Sequence, residues 1–235
     1  MEEMFDRYSI AATPQQLRDH FSVDVPSHYK KYYNAGPTHL LPVITHHNPE
    51  GLSFFYWGAI PQWIKNKNIS EKLINVRAET IQDKPVLKKK MMRFRCLIPI
   101  DGFYCWKKIS KKSAIPYRFF SRNKELLAMA GLWEEFEDEQ EETHHTFSII
   151  TTQSNKQVQP INERMPLLLN KEMRKIWLNK ESTENELLGM LRIETPIDLE
   201  FYTVSPRIGR LAANESTLML PTAPADQFGN LTLFD

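Results

Sequence analysis

Leu97-Ile98-Pro99-Ile100-Asp101-Gly102-Phe103-Tyr104-Cys105-Trp106 is the stretch on which the fold turns. β-Branched and aromatic side chains fit the pleated, half-buried surface of a strand. Residues 95–98 and 104–108 carry that character, and so do 117–120, 126–133 and 146–151. Further upstream, 40–45 and 52–57 read as strands separated by the turn formers Asn48-Pro49-Glu50-Gly51. Residues 201–205 form a last strand, and the acidic run 134–142 reads as a solvated hairpin loop. Helices are fewer and shorter. Thr13 before Pro14 sets an N-cap with Pro at N1 for a helix over 13–21. Residues 79–93 are helical in pattern, and the interior Pro85 splits them in two or delays their start. Residues 171–178 and 182–191 also read as helices, the second opened by Thr183 and Glu186 at capping-box spacing. The pattern predicts an α+β fold of mostly antiparallel strands, with no repeat and no dividing linker. It is read as a single domain over 1–235, whose tail 222–235 lies on the surface.

At 235 residues the chain is long enough to bury a proper core. It is 41% hydrophobic and 25% charged, which excludes disordered and fibrous classes. A net charge of +1 means that any nucleic-acid surface must be a local patch. Two cysteines, Cys96 and Cys105, make neither a zinc site nor a disulfide scaffold, which fits a reducing cytoplasm. The acidic start, Met-Glu-Glu-Met-Phe-Asp-Arg, is not a signal peptide, and no apolar run is long enough for a bilayer. The expectation is a cytoplasmic protein without membrane, metal or cofactor, acting as a monomer.

Three segments together carry more than their parts. Asn75-Val76-Arg77-Ala78-Glu79-Thr80, the stretch from Arg95 to Trp106, and Arg164-Met165-Pro166 resemble the signature of the SRAP family, the SOS response-associated peptidases or abasic-site processing proteins. That family's text runs N-x-R-x-E-T, R-C-L-I-P-x-D-G-F-Y-E-W and H-x-R-M-P. Tyr33-Asn34-Ala35-Gly36-Pro37-Thr38, Trp57-Gly58-Ala59-Ile60-Pro61-Gln62-Trp63 and Ala130-Gly131-Leu132-Trp133-Glu134 extend the likeness over most of the chain. The resemblance implies an SRAP-type core, an open barrel-like arrangement of antiparallel sheets flanked by short helices. It also implies binding of single-stranded or gapped DNA at abasic sites in the DNA-damage response.

In that family an N-terminal Cys captures the sugar aldehyde through its amine and thiol, a Glu and a His assist proton transfer, and an Asn positions the reacting groups. Here Phe5 stands at the nucleophile position, Cys105 replaces the Glu and Asn162 replaces the His. An amine alone gives only a reversible imine, and the thiolate is the better nucleophile near neutral pH. Losing the carboxylate and the imidazole removes the acid–base pair as well. The resemblance therefore implies a degenerate, non-covalent member. The alternatives are a thiol-dependent peptidase or lyase using Cys105 or the N-terminal amine, and a cleft repurposed for protein interaction. Cys105 is otherwise read as a small, inert core residue.

The retained positions are Asn75, at the family's site Asn, and Arg7, Arg77 and Arg164, which match phosphate-contacting or cleft-lining positions. Trp63 and Trp106 match cleft positions where an aromatic face stacks on exposed bases. The plainer readings are a turn-capping Asn, salt-bridged surface arginines and core tryptophans; Trp57 and Trp133 are assigned to the core. Lys88, Lys89, Lys90, Arg93 and Arg95, with Lys107, Lys108, Lys111 and Lys112, form the one dense basic region, a candidate DNA-facing stripe. Cys96 is read as core. The pairs His46-His47 and His144-His145 are read as surface loop residues.

Overall fold

The structure is a computed structural model that describes residues 5–58, 74–137, 141–192 and 197–231. In chain order its strands begin with β1 (Tyr8–Ile10), β2 (Tyr32–Ala35), β3 (Leu40–Thr45), β4 (Asn48–Trp57), β5 (Asn75–Arg77) and β6 (Arg95–Ile100). They continue with β7 (Gly102–Ser110), β8 (Ser113–Ser121), β9 (Leu127–Glu137), β10 (Thr143–Gln153), β11 (Arg164–Pro166) and β12 (Leu199–Thr203). The helices are α1 (Pro14–Phe21), α2 (Ala78–Asp83), α3 (Pro85–Arg93), α4 (Lys171–Leu178) and α5 (Glu184–Met190).

Five strands close into a ring in the order β10-β4-β3-β6-β9, because β9 pairs with both β6 and β10. The mostly antiparallel, barrel-like α+β core read from the sequence is present, and its ring is closed rather than open. Full closure leaves no sheet edge to template unwanted pairing. One seam is parallel: Thr146 lies opposite Tyr56, and Phe147 opposite Trp57. Side chains two apart on a strand share a face. Phe55 and Trp57 of β4 accordingly pack against Trp133 and Phe147, with ring centroids 5.3 and 6.2 Å apart. Trp57 and Trp133 are core residues, as is Cys96, whose thiol pKa is pushed up by burial.

A second, wholly antiparallel sheet runs β12-β8-β7-β1-β2. The two sheets meet at Asp101-Gly102, between β6 of the barrel and β7 of the second sheet. The Asp101 carboxylate accepts from Ser9 Oγ at 2.5 Å, from the Ala11 backbone N–H, and from Arg118 Nη2 at 2.8 Å. Arg118 Nη2 also reaches the Asp101 carbonyl at 3.2 Å, and Nη1 reaches the Tyr202 hydroxyl at 3.4 Å. Gly102 makes room for this: a Cβ there would stand 2.7 Å from the Phe119 carbonyl and 2.8 Å from the Arg118 guanidinium.

The helices follow their sequence signals closely. Thr13 and Gln16 form a reciprocal capping box on α1, and Thr183 and Glu186 form another on α5. Pro85 splits the 79–93 pattern into α2 and α3, taking the first position of α3, where its missing N–H costs nothing.

Several expectations need correction. The turn placed at residues 48–51 lies two residues earlier: β4 begins at Asn48, and His46-His47 form the two-residue turn after Thr45. His46 is not a surface residue; its N–H and Nδ1 both lie 3.2 Å from the Arg95 carbonyl, and the ring is buried. His144 and His145 belong to β10, where His145 stacks on Phe55 at 4.7 Å. Arg95 leaves the basic stripe altogether. It is fully buried and donates to the carbonyls of Met91, Met92, Trp177 and Asn179 at 2.7–3.0 Å. Trp63 lies outside the described residues.

The Asp101 knot yields a direct test. Asp101→Ala leaves the Arg118 cation, 6% exposed, without its carboxylate. Breaking such a pair by removing one partner costs about 3–5 kcal/mol. Urea titration should show that loss as a lower midpoint with an unchanged slope; a loss under about 1 kcal/mol would mean that the knot is dispensable.

Candidate functional site

β10 is long enough to serve two structures. Its first half lies in the barrel wall between β4 and β9. Its second half lies between β5 and β11, with Asn75 opposite Ile149 and Arg77 opposite Thr151 on one side. On the other side Pro166 lies opposite Thr151 and Arg164 opposite Gln153. This extension brings together Asn75, Arg77, Arg164 and, just before β11, Asn162.

Asn75 is 8% exposed, and its Nδ2 donates to the Phe5 carbonyl at 2.5 Å. Its Oδ1 is buried without a hydrogen-bond partner among the described residues. The Phe5 ring, 5% exposed, lies 5.9 Å from Trp57 and 6.0 Å from Phe103. The start of the described chain is thus pinned by its backbone to β5 and by its side chain to both sheets. Trp57 is held in turn by its Nε1–H, which donates to the Ile74 carbonyl at 2.8 Å.

Cys105 lies two positions beyond Phe103 on β7 and shares its face; both belong to the main core. Its residue is 2% exposed. Trp106 points to the other face of β7, where it packs half-buried on a small cluster of Tyr104, Val204, Ile208 and Leu218. The structure does not bring Trp106 beside Phe5 and Cys105.

The three arginines differ in their surroundings. Arg7 is buried and donates through Nη1 to the Asp6 carboxylate at 2.8 Å, while its Nε has no partner among the described residues. Arg77 is exposed at the end of β5. Arg164 makes a two-pronged ion pair with Glu79, Nη1 to Oε1 at 2.9 Å and Nη2 to Oε2 at 3.0 Å, and Nη2 also reaches the Thr151 carbonyl at 2.8 Å. Asn162 supports this corner locally: its Oδ1 accepts from the Arg164 backbone N–H at 3.0 Å. A fork-on-fork pair of this kind fixes the plane of the guanidinium as well as its charge. Partial burial would raise the Glu79 pKa, yet the hydrogen bonds and charge supplied by Arg164 hold it below its ordinary value of 4.5. Among the described residues, no group of three or more His, Cys, Asp or Glu side chains could hold a metal ion.

The profile of the family described as SOS response associated peptidase (SRAP) matches residues 4–211, which span this whole arrangement. The chain belongs to the SRAP family. It is 34% identical over 221 residues to abasic site processing protein YoaM of Bacillus subtilis (strain 168), covering 92% of this chain and 97% of that one. Identity to abasic site processing protein YoqW of Bacillus phage SPbeta is also 34%, over 92% of this chain and 99% of that protein. Among solved structures, a protein from Bacteroides thetaiotaomicron superposes with a TM-score of 0.78 at 26% identity, over 92% of this chain and 99% of its own.

Glu79 was quoted in the motif but given no role by sequence reasoning, because only the fold brings it across β10 to Arg164. Its depressed pKa makes the pair testable. A carboxylate with a lowered folded-state pKa stabilises the fold above its ordinary value, and that contribution is lost as pH falls through the folded value. Melting temperatures of the native chain and of Glu79→Gln should therefore differ above about pH 5 and converge towards about pH 2. A constant difference across that range would remove the ion pair as the cause.

Proposed function

We propose that this chain binds single-stranded or gapped DNA at abasic sites, in the response to DNA damage, and holds it without a covalent bond. Its family and the names of its relatives, abasic site processing proteins, support the DNA-damage half of this reading. Phe5 carries the non-covalent half. By the resemblance it occupies the family's nucleophile position, and here that position holds a buried phenyl ring packed on Trp57 and Phe103. A phenyl ring has no lone pair with which to attack an aldehyde. Cys105 and Asn162, at the positions of the family's Glu and His, offer neither the carboxylate nor the imidazole that would move protons.

What is left suits binding. Arg77 is solvent-exposed at the end of β5, and contacts to phosphate position a strand without reading its sequence. Trp106, half-buried, has a face on which an unstacked base can rest. Arg164 is occupied: a phosphate must displace the Glu79 carboxylate to take its fork. On this reading the protein acts in the cytoplasm as a monomer, with neither metal nor cofactor.

The covalency test is a pair of gels with single-stranded DNA carrying one abasic site. The native gel should show a shifted band, and the denaturing gel, after heat and detergent, should show none. A band that survives denaturation but disappears in Cys105→Ser would overturn the proposal and make Cys105 the nucleophile.

Salt series read the charges separately. Each phosphate contact contributes roughly one unit to the log–log slope of affinity against salt. Arg77→Ala should weaken binding and flatten that slope by about one unit. Glu79→Gln should do the reverse at low salt, tightening binding and steepening the slope by up to about one unit, because Arg164 no longer has a carboxylate to leave. Identical slopes for all three proteins in fluorescence anisotropy would reject phosphate contacts at this corner.

A further inference from the structure

At the far end of the barrel from Phe5 lies a cavity of about 430 Å³, lined by His46, His47, Met92, Arg93, Phe94 and Lys180. The two places are separated by the length of β4: His46-His47 precede its first residue, and Phe5 rests against Trp57, its last. Ten strand residues at ~3.3 Å each put them roughly 30 Å apart.

This cavity is built around one residue. The Arg95 guanidinium fastens the end of α3 through the Met91 and Met92 carbonyls, and the end of α4 through those of Trp177 and Asn179, next to Lys180. The Arg95 carbonyl accepts from the His46 N–H, so the β3–β4 turn is tied to the same point. Every segment that lines the cavity is therefore held in place before any ligand arrives, which lowers the entropy a ligand must give up.

Its charge is one-sided. Arg95 is fully buried, and among the described residues no carboxylate pairs with it; its partners are neutral carbonyls. Arg93 and Lys180, both exposed on the rim, form no ion pair among the described residues either. Burial pushes His46 down to about 4, so its ring stays neutral and adds no charge of its own. Glu134, the neighbouring acid on β9, is taken by Lys90 at 3.0 Å, and Glu135 pairs with His145 at 3.5 Å. A concave site with Arg93 and Lys180 on its rim, the Arg95 charge buried behind them and no carboxylate among its lining residues attracts an anion.

The wall is aromatic. The His47 ring centroid is 4.1 Å from that of His46, 6.5 Å from Phe94 and 5.5 Å from Trp133, and the Arg93 guanidinium lies over Phe94 at 5.6 Å. Flat rings and a stacked guanidinium are the surfaces on which a planar heterocycle rests.

We propose that this cavity binds the phosphate and base of a nucleotide, free or at the 5′ end of a strand, with Arg93 and Lys180 on the phosphate and His47 and Phe94 against the ring. The site is independent of the abasic-site reading, since it shares no residue with the Asn75 corner.

Calorimetric titration of the whole chain tests it, using adenosine monophosphate, adenosine, inorganic phosphate, and one short oligonucleotide with a 5′-phosphate or a 5′-hydroxyl. The monophosphate, the 5′-phosphorylated strand, or both should bind at least tenfold more tightly than adenosine, inorganic phosphate and the 5′-hydroxyl strand. Which of the two binds identifies the source of the nucleotide. The double variant Arg93→Ala/Lys180→Ala changes only rim side chains and should weaken that binding at least tenfold. His47→Ala should weaken the nucleotide but leave inorganic phosphate unchanged. The proposal is overturned if no phosphorylated probe binds, if adenosine binds as well as its monophosphate, or if the double variant keeps native affinity.

Discussion

The arrangement depends on a carboxylate placed where two sheets share one chain. Asp101 follows the barrel's β6 and accepts from Ser9 of β1, from the Ala11 N–H just beyond β1 and from Arg118 of β8. A carboxylate out of water needs donors on its oxygens, and here three residues supply them. The second sheet is thereby locked to the barrel at one angle, and β1, which leads directly from Phe5 and Arg7, is fixed with it. Without that lock the start of the described chain would have no defined path across the core to Asn75.

The candidate site is the product of the same economy. One strand, β10, closes the barrel with its first half and carries Arg77 and Arg164 on its two flanks with its second. Phe5 adds an apolar plug between Trp57 and Phe103, and Asn75 spends one of its amide donors on the backbone of that plug. A nucleophile at this point would be oriented by the same contacts. Phe5 itself is a packing element, held by its ring to both sheets and by its carbonyl to Asn75.

Much of this was legible in the sequence, because local signals and tertiary demands agree. The capping boxes at Thr13 and Thr183 and the Pro85 break specify helix ends by short-range chemistry alone. The aromatic runs specify strands for the same reason. Failures occur where a residue's environment comes from distant chain. Arg95 sits among basic neighbours and reads as surface, yet carbonyls from two helices meet its guanidinium in the core. His46 reads as a loop histidine, and it is buried because Arg95 offers it a carbonyl. Glu79 acquires its role only when β11 is laid beside β10. Buried polar residues are the hardest to place from sequence, since satisfaction by partners far along the chain leaves no periodicity to read.

The parallel seam has a consequence for how the protein is made. Tyr56 and Thr146, paired across it, are separated by 146 − 56 = 90 residues. Antiparallel neighbours such as β3 and β4 can form as soon as their turn has been synthesised, but the ring cannot close until β10 has emerged. During that interval one edge of β4 carries unpaired backbone groups, next to some of the largest aromatic side chains of the core. Pairings with such long loops are slow to form, because chain entropy is lost before contacts compensate for it. Ring closure is therefore the step at which a nascent chain is most exposed to aggregation, and conditions that slow translation beyond β4 lengthen that exposure without changing the stability of the finished barrel.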